Sequence, residues 1–252
     1  MMHQRYAGRT ALVTGAGSGI GQATVLRLAT EGATIVGCDI DTAGLDATGK
    51  LLTADGLRAE LLPADITVQA DVDRVVAALQ GTPVDLLANV AGIMDYFLPV
   101  TELDDAVWER VVAVNLTGPM RLCRAVIPAM RAAGGGAVVN VSSIGGLTGS
   151  VAGTAYTSAK HGLIGLTRSL AYLYGPDGIR ANAVCPGGVR TNIGRTAFAR
   201  SQWAYDRLER SFGRATRMAE PDEIATLIAW LGSAEAGNVN GAVITADGGW
   251  MS

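Results

Sequence analysis

The sequence predicts an α/β protein built as one doubly wound domain, a seven-stranded, mostly parallel sheet with helices on both faces. Three observations carry this. Short apolar runs alternate with helix-length segments throughout the 252 residues, the order that lays helices across a parallel sheet. Several runs are apolar almost without interruption, as in strands buried on both faces. No Pro/Ser-rich linker, repeat or low-complexity tract divides the chain, so a single domain spans 1–252.

Taken in order, "TALVT" (10–14) is the first strand, and a glycine turn leads into a helix over Gly19–Glu31. "ATIVGC" (33–38) and "LRAELL" (57–62) are the next strands. A helical pattern over Ala70–Leu79 precedes the strand "VDLLAN" (84–89). One long helical pattern then covers Asp104–Met130, followed by the strand "AVVNV" (137–141) and a helix over Thr154–Tyr174. "IRANAV" (179–184), a helix over Asp222–Leu231 and "AVITA" (242–246) complete the set. The irregular segment 190–217, with Phe198, Trp203, Tyr205 and Phe212 among charges, follows a strand and "PGG". A long insertion at a strand's carboxyl end is where a substrate lid sits, and an amphipathic helix pair on the domain edge is the plainer reading.

Composition excludes several classes. A net charge of −3, with basic residues scattered, gives no electrostatic reason to bind nucleic acid or an anionic membrane. Even the densest basic group, Arg207, Arg210, Arg214 and Arg217, reads as a solvated face. The N-terminal "MMHQRYAGRT" has no apolar run, so no secretory signal is expected, and no stretch is long enough to span a bilayer. Cys38, Cys123 and Cys185 are odd in number and far apart, and the histidines are His3 and His161. Neither a disulfide framework nor a metal site follows from them, and the expected compartment is the reducing cytoplasm.

The first strand runs into "TGAGSGIG" (14–21). Glycine allows a tight turn and lets backbone N–H groups approach a pyrophosphate at a helix N-terminus. The spacing is G-x3-G-x-G, and alone such a turn can be purely structural. Asp39, 18 residues beyond Gly21, ends the second strand. A carboxylate there accepts hydrogen bonds from adenosine ribose hydroxyls and repels a 2′-phosphate. Its neighbours Cys38 and Ile40, and Ser18 in the turn, offer no basic group, so NAD is favoured over NADP.

Only two of the 20 Lys and Arg residues are lysines, Lys50 and Lys160, and Lys160 stands four residues after Tyr156 in "GTAYTSAKHG". With the glycine turn and Asp39, this pair makes the chain resemble the short-chain dehydrogenase/reductase family over essentially its whole length. "NVSSIGG" (140–146), "NVAG" (89–92), "DIT" (65–67) and "PGGVRT" (186–191) resemble further family motifs in the same order, Val90 replacing the second asparagine of an Asn-Asn-Ala-Gly turn. The resemblance implies a Rossmann fold and an active-site tetrad of Asn115, Ser143, Tyr156 and Lys160. It implies cofactor contacts at Gly15, Gly17, Ser18, Gly19, Ile20, Gly21, Asp39, Asp65, Ile66, Asn89, Ala91, Gly92, Tyr156, Lys160, Pro186, Gly187, Val189 and Thr191. A homotetramer or homodimer is also implied, with helices around 104–130 and 154–174 and the tail "GAVITADGGWMS" as candidate interfaces.

Moving a hydride at an alcohol carbon requires a proton to move at its oxygen. A free tyrosine, with a pKa near ~10, is a poor base at neutral pH. A cation one helical turn away favours the phenolate, and Tyr156 would then act as general base in oxidation and general acid in reduction. A slim ammonium at Lys160 can hold ribose hydroxyls where a planar guanidinium is harder to place. Ser143 would hydrogen-bond the substrate oxygen, with Ser142 competing for that role. Asn115 lies four residues before Pro119, which has no N–H, so an α-helix there leaves the Asn115 carbonyl unpaired. In the family that carbonyl anchors a water leading to the lysine. His161 points about 100° away from Lys160 on a helix and reads as surface or packing.

The expected reaction is NAD-dependent hydride transfer between nicotinamide and a secondary alcohol or ketone, apolar or cyclic if Met94, Tyr96, Phe97, Leu147 and Val151 line the pocket. A 3-oxoacyl-acyl-carrier-protein reductase using NADPH is the alternative, but its rim should be basic and "MRAAGGGA" (130–137) offers only Arg131. A catalytically idle dinucleotide-binding regulator is a third reading, opposed by the intact tetrad. Charge-preserving replacement tests the role of Lys160. Lys160→Arg should lower turnover by at least about 100-fold, the lower range for a positioned proton-transfer group, while Lys50→Arg leaves steady-state rates unchanged.

Overall fold

The computed structural model describes residues 4–193, 198–212 and 217–252. Seven strands form one sheet in the order β3-β2-β1-β4-β5-β6-β7. They are β1 (Thr10–Thr14), β2 (Thr34–Asp39), β3 (Glu60–Pro63), β4 (Leu86–Asn89), β5 (Gly136–Val141), β6 (Ile179–Pro186) and β7 (Val243–Ala246). Every neighbouring pair is parallel. The predicted fold class is therefore the one observed, and the seven predicted strands coincide with these within a few residues.

Helices cover both faces because side chains alternate along each strand. On one face Ala11, Val13, Ala88 and Val139 pack with α1 (Gly19–Thr30), α2 (Thr42–Ala54) and α8 (Pro221–Gly232). On the other, Leu12, Leu87 and Val138 pack with α3 (Gln69–Ala77), α5 (Gly118–Ala132) and the end of α6 (Thr154–Tyr174). The central strands are thus buried on both sides, which is why they read as continuous apolar runs. Helix starts follow local chemistry: the Asp104 carboxylate accepts from Val107 N at the start of α4 (Asp105–Val112), and a Glu220/Glu223 capping box with Pro221 opens α8.

Two elements depart from the sequence reading. Helix α2 was not expected, because Gly44 and Gly49 dilute its pattern, yet Leu45, Thr48 and Leu52 form a buried stripe. A Cβ on Gly44 would sit 2.6 Å from the Gly17 carbonyl oxygen, so glycine lets α2 reach the first turn. Thr48 completes this contact by donating to the Ala16 carbonyl at 2.8 Å. The single helix expected over 104–130 is instead α4, a wide turn over Ala113–Thr117, and α5. There Gly118 N bonds the carbonyl of Ala113, five residues back. Pro119 follows this widened turn, within which Asn115 is fully buried. Wide turns of this kind concentrate at functional sites.

Between β4, β5 and α6 runs a buried polar relay. Asn89 Nδ2 donates to Asn140 Oδ1 at 2.8 Å, Asn140 Nδ2 to Thr167 Oγ1 at 2.9 Å, and Thr167 Oγ1 to the Leu163 carbonyl at 2.7 Å. Asn140→Ala strands two of these groups away from water. It should lower unfolding stability by about 1–3 kcal/mol, read as a lower urea midpoint at unchanged m-value.

Candidate active site

The sheet order reverses between β1 and β4, and the loops leaving their carboxyl ends part to either side, which opens a crevice there. The two ends meet closely first. Thr14 Oγ1 accepts from Val90 N at 3.0 Å and Ala91 N at 3.1 Å, and a Cβ on Gly15, whose φ is +72°, would lie 3.0 Å from Ala91 N. The hydroxyl of Thr14 therefore holds the "NVAG" turn, and the turn keeps its form with valine at position 90. Thr14 escaped the sequence reading because a buried threonine at a strand end looks like any other β-former.

The resulting cleft encloses about 720 Å³. At one end it is lined by Gly15, Ser18, Gly19, Ile20 and Gly21, with Asp39, Asp65 and Ile66 beside them. Ala91, Gly92, Pro186, Gly187, Val189 and Thr191 continue the wall, and Ser143, Tyr156 and Lys160 close the other end. The glycine turn is shaped for close approach: a Cβ on Gly19 (φ +52°) would press on Thr191, and one on Gly21 would fall on the Gly15 carbonyl. Asp39 is held by its Oδ2 accepting from Gly17 N and its Oδ1 from Asp41 N, both at 2.9 Å. Asp65 accepts from Thr67 N and Oγ1 and pairs with Arg110 at 3.1 Å. Arg110 and Lys160 are the basic side chains on the wall among the described residues, and Arg110 is committed to Asp65. This cradle, with a carboxylate at the end of β2, fits a nicotinamide dinucleotide.

Three expected residues act differently from a direct contact. Asn89 is buried in the relay with Asn140 and Cys123 and does not line the cleft, because alternation along β4 turns its side chain into the core. Gly17 lies behind the wall, with its N–H on Asp39. Asn115 is fully buried, its Oδ1 accepting from Ile93 N and its Nδ2 donating to Ile93 O, both at 2.9 Å. It clamps the strand of chain beyond Gly92 rather than facing the cleft.

At the far end, α6 presents Tyr156 and Lys160 on one face. Lys160 Nζ lies 5.6 Å from the Tyr156 ring centroid and donates to the Val141 carbonyl at 2.9 Å. The two serines separate: Ser142 donates to the Lys160 backbone carbonyl at 3.0 Å, while Ser143 hydrogen-bonds Tyr156. Gly145 leaves room for that contact, a Cβ there falling 3.3 Å from the tyrosine ring. His161 is exposed, with Nδ1 against the Thr157 carbonyl. Met94, Tyr96, Ile93, Val114 and Ile193 line the same end. Phe97 packs behind them on Tyr205 and Phe212 of α7 (Gln202–Phe212), and Tyr96 lies against Phe198. Leu147 is instead exposed at 39 % and Val151 is buried. The lid expected over 190–217 is described except at residues 194–197 and 213–216; Arg214 and His3 lie outside the described residues.

Burial dominates the electrostatics. It pushes the Tyr156 phenol up to about 12, against the lowering effect of the Ser143 hydrogen bond. The same desolvation brings the Lys160 ammonium down to about 8. The dry pocket therefore opposes the phenolate form of Tyr156.

The family model described as short chain dehydrogenase matches residues 9–202, and the chain belongs to that family of oxidoreductases, which bind a nicotinamide dinucleotide. Among its relatives, the cis-4-hydroxycyclohexanecarboxylate dehydrogenase of Sinomonas cyclohexanicum is 41 % identical over the full length of both chains. The 3beta-hydroxysteroid dehydrogenase 2 of Eggerthella lenta is 38 % identical, covering 98 % of this chain and 96 % of its own. The crystal structure of levodione reductase superposes with a TM-score of 0.88 at 35 % identity, over 97 % of this chain and 98 % of that one.

A folded lysine with a lowered pKa binds its proton less tightly than the unfolded chain. The cost of the buried ammonium is thus full below about pH 8 and is relieved as pH rises towards 10.5. Relative to Lys160→Met, the cofactor-free protein should gain up to about 3 kcal/mol of stability over that window. Urea unfolding at a series of pH values reads the difference, and a flat difference would show that Lys160 keeps its solvation in the fold.

Proposed function

We propose that the protein is an NAD-dependent oxidoreductase interconverting a secondary alcohol and its ketone, the substrate being apolar or cyclic. The observation that carries this is the meeting, at one end of a dinucleotide-shaped cleft, of Tyr156, Ser143 and the cation Lys160, which has no carboxylate partner among the described residues. The bound oxidised cofactor supplies the hydride acceptor and a positive charge beside the phenol. Tyr156 accepts the hydroxyl proton in oxidation and returns it in reduction, Ser143 donating to the same oxygen as charge develops on it. Lys160, fixed by Val141, holds a cation beside the ring and offers its remaining N–H groups to ribose hydroxyls. Asn115 keeps the Ile93 segment in place behind them.

Asp39 supports NAD over NADP: its carboxylate faces the cleft, and no unpaired arginine stands near it among the described residues. Met94 and Tyr96, with Phe198 against Tyr96, support a ring-bearing substrate, as do relatives named for hydroxysteroid and hydroxycyclohexanecarboxylate oxidation. An acyl-carrier partner finds little support, since Arg131 is tied to Asp177 at 2.6 Å. Association of copies through α4 and α6 would cover the exposed Trp108, Tyr172 and Leu173.

A panel of cyclic and linear secondary alcohols with NAD+ and with NADP+ tests this reading. Reduction of NAD+ should be faster with cyclic members, and Tyr156→Phe should lower it by about 100-fold or more while leaving NAD+ binding intact. Asp39→Ser should narrow the preference for NAD+. Full activity in Tyr156→Phe would sink the mechanism.

A further inference from the structure

The loop beyond β4 carries a buried carboxylate that the proton-transfer chemistry does not use. Asp95 is fully buried, and burial pushes its carboxyl above the usual carboxylate range. Its neighbours are backbone N–H groups rather than a cation: it accepts from Phe97 N at 3.2 Å, Gly153 N at 3.2 Å and Tyr156 N at 2.9 Å. Two of these belong to the start of α6, whose first-turn N–H groups have no partner within the helix. The residue before that helix is Gly153, which has no side chain to cap it. Asp95 supplies across space the acceptor that a serine or aspartate would supply locally, and a negative charge there also suits the helix dipole.

Gly153 shows how closely the two are fitted. Its φ is −75°, a conformation open to any residue, so its backbone does not demand glycine. A Cβ there would instead lie 2.5 and 2.6 Å from the Asp95 carboxylate oxygens. The third bond, to Phe97, holds a strained segment. Tyr96 and Phe97 have φ of 57° and 58°, and bulky residues persist in that region only where their surroundings dictate it. Tyr96 lines the substrate end of the cleft, and Thr154 N adds a second tie by donating to the Leu98 carbonyl at 2.9 Å.

We infer that Asp95 is a positioning residue that clamps the Tyr96–Phe97 substrate loop to the first turn of α6, fixing the distance between the substrate wall and the Tyr156 hydroxyl. This rests on the proposed role of Tyr156. The titratable group beside Asp95 is Tyr156 itself, and the Asp95 charge acts to raise the phenol's pKa.

The test compares Asp95→Asn, Gly153→Ala and the double variant. In Asp95→Asn one carboxylate oxygen becomes an NH2 group, and a donor faces a donor. Hydrogen exchange at the Tyr156 amide should accelerate by about 10-fold, as for loss of one hydrogen bond, and the KM for the alcohol should rise while the Kd for NAD+ holds. The ascending limb of kcat/KM in oxidation should move to lower pH as the charge is removed. Gly153→Ala, which displaces the carboxylate, should reproduce the KM and exchange effects, and the double variant should be no worse than the poorer single one. Additive effects overturn the inference, as does a folded Asp95→Asn with unchanged exchange and KM. If Asp95→Asn does not fold, Gly153→Ala decides by the same readouts. Amide exchange is independent of turnover, so a failure of the Tyr156 mechanism is distinguished from a failure of the clamp.

Discussion

The site depends on the close meeting of β1 and β4 at the point where strand order reverses. Thr14 places one hydroxyl against two N–H groups of the "NVAG" turn, and Gly15 yields the space for Ala91 to approach. With those ends fixed, the loops beyond them diverge and leave the crevice between. Everything functional is then referred to that junction: the glycine turn and Asp39 on one side, α6 and the segment beyond Gly92 on the other. The second layer is equally specific, because α2 reaches the turn only through Gly44 and the Thr48 hydroxyl.

The second organising fact is a cation kept dry. Lys160 is 3 % exposed and bonds a neutral carbonyl, that of Val141, in place of a carboxylate. A carboxylate partner would hold the ammonium more firmly but would also place a negative charge beside Tyr156. With the carbonyl alone, burial lowers the lysine and raises the tyrosine, so the dry pocket disfavours both charged forms. A positive charge placed beside the phenol would favour its phenolate while disfavouring the Lys160 ammonium further. The protein's own electrostatics therefore hold Tyr156 as the neutral phenol, which the Tyr–Lys spacing alone does not disclose.

The sequence made the fold and most of the site legible. The strand runs, the glycine turn, Asp39, Ser143, Tyr156 and Lys160 are recognisable because each depends on local chemistry: apolar periodicity, φ freedom, or residue types at fixed spacing along one helix. Helix α2 is hidden because Gly44 serves contact with another element. The wide turn at Ala113–Thr117 was read as plain helix because a one-residue expansion barely alters apolar periodicity. Asn89 was read as a cofactor contact, since its motif neighbours a turn, yet its side chain follows the strand's alternation into the core.

What the sequence by itself determined, then, is the architecture and most of the side chains that meet in the cleft, since both are written in short-range patterns. The tertiary structure alone decided how those groups are held and charged. It assigned Ser142 to the Lys160 carbonyl and Ser143 to Tyr156, turned Asn115 onto Ile93, and brought Asp95 across 61 residues to the Tyr156 amide. Hydrogen bonds between distant segments and the desolvation of a buried pair arise only when the chain is packed, and no spacing along the sequence encodes them.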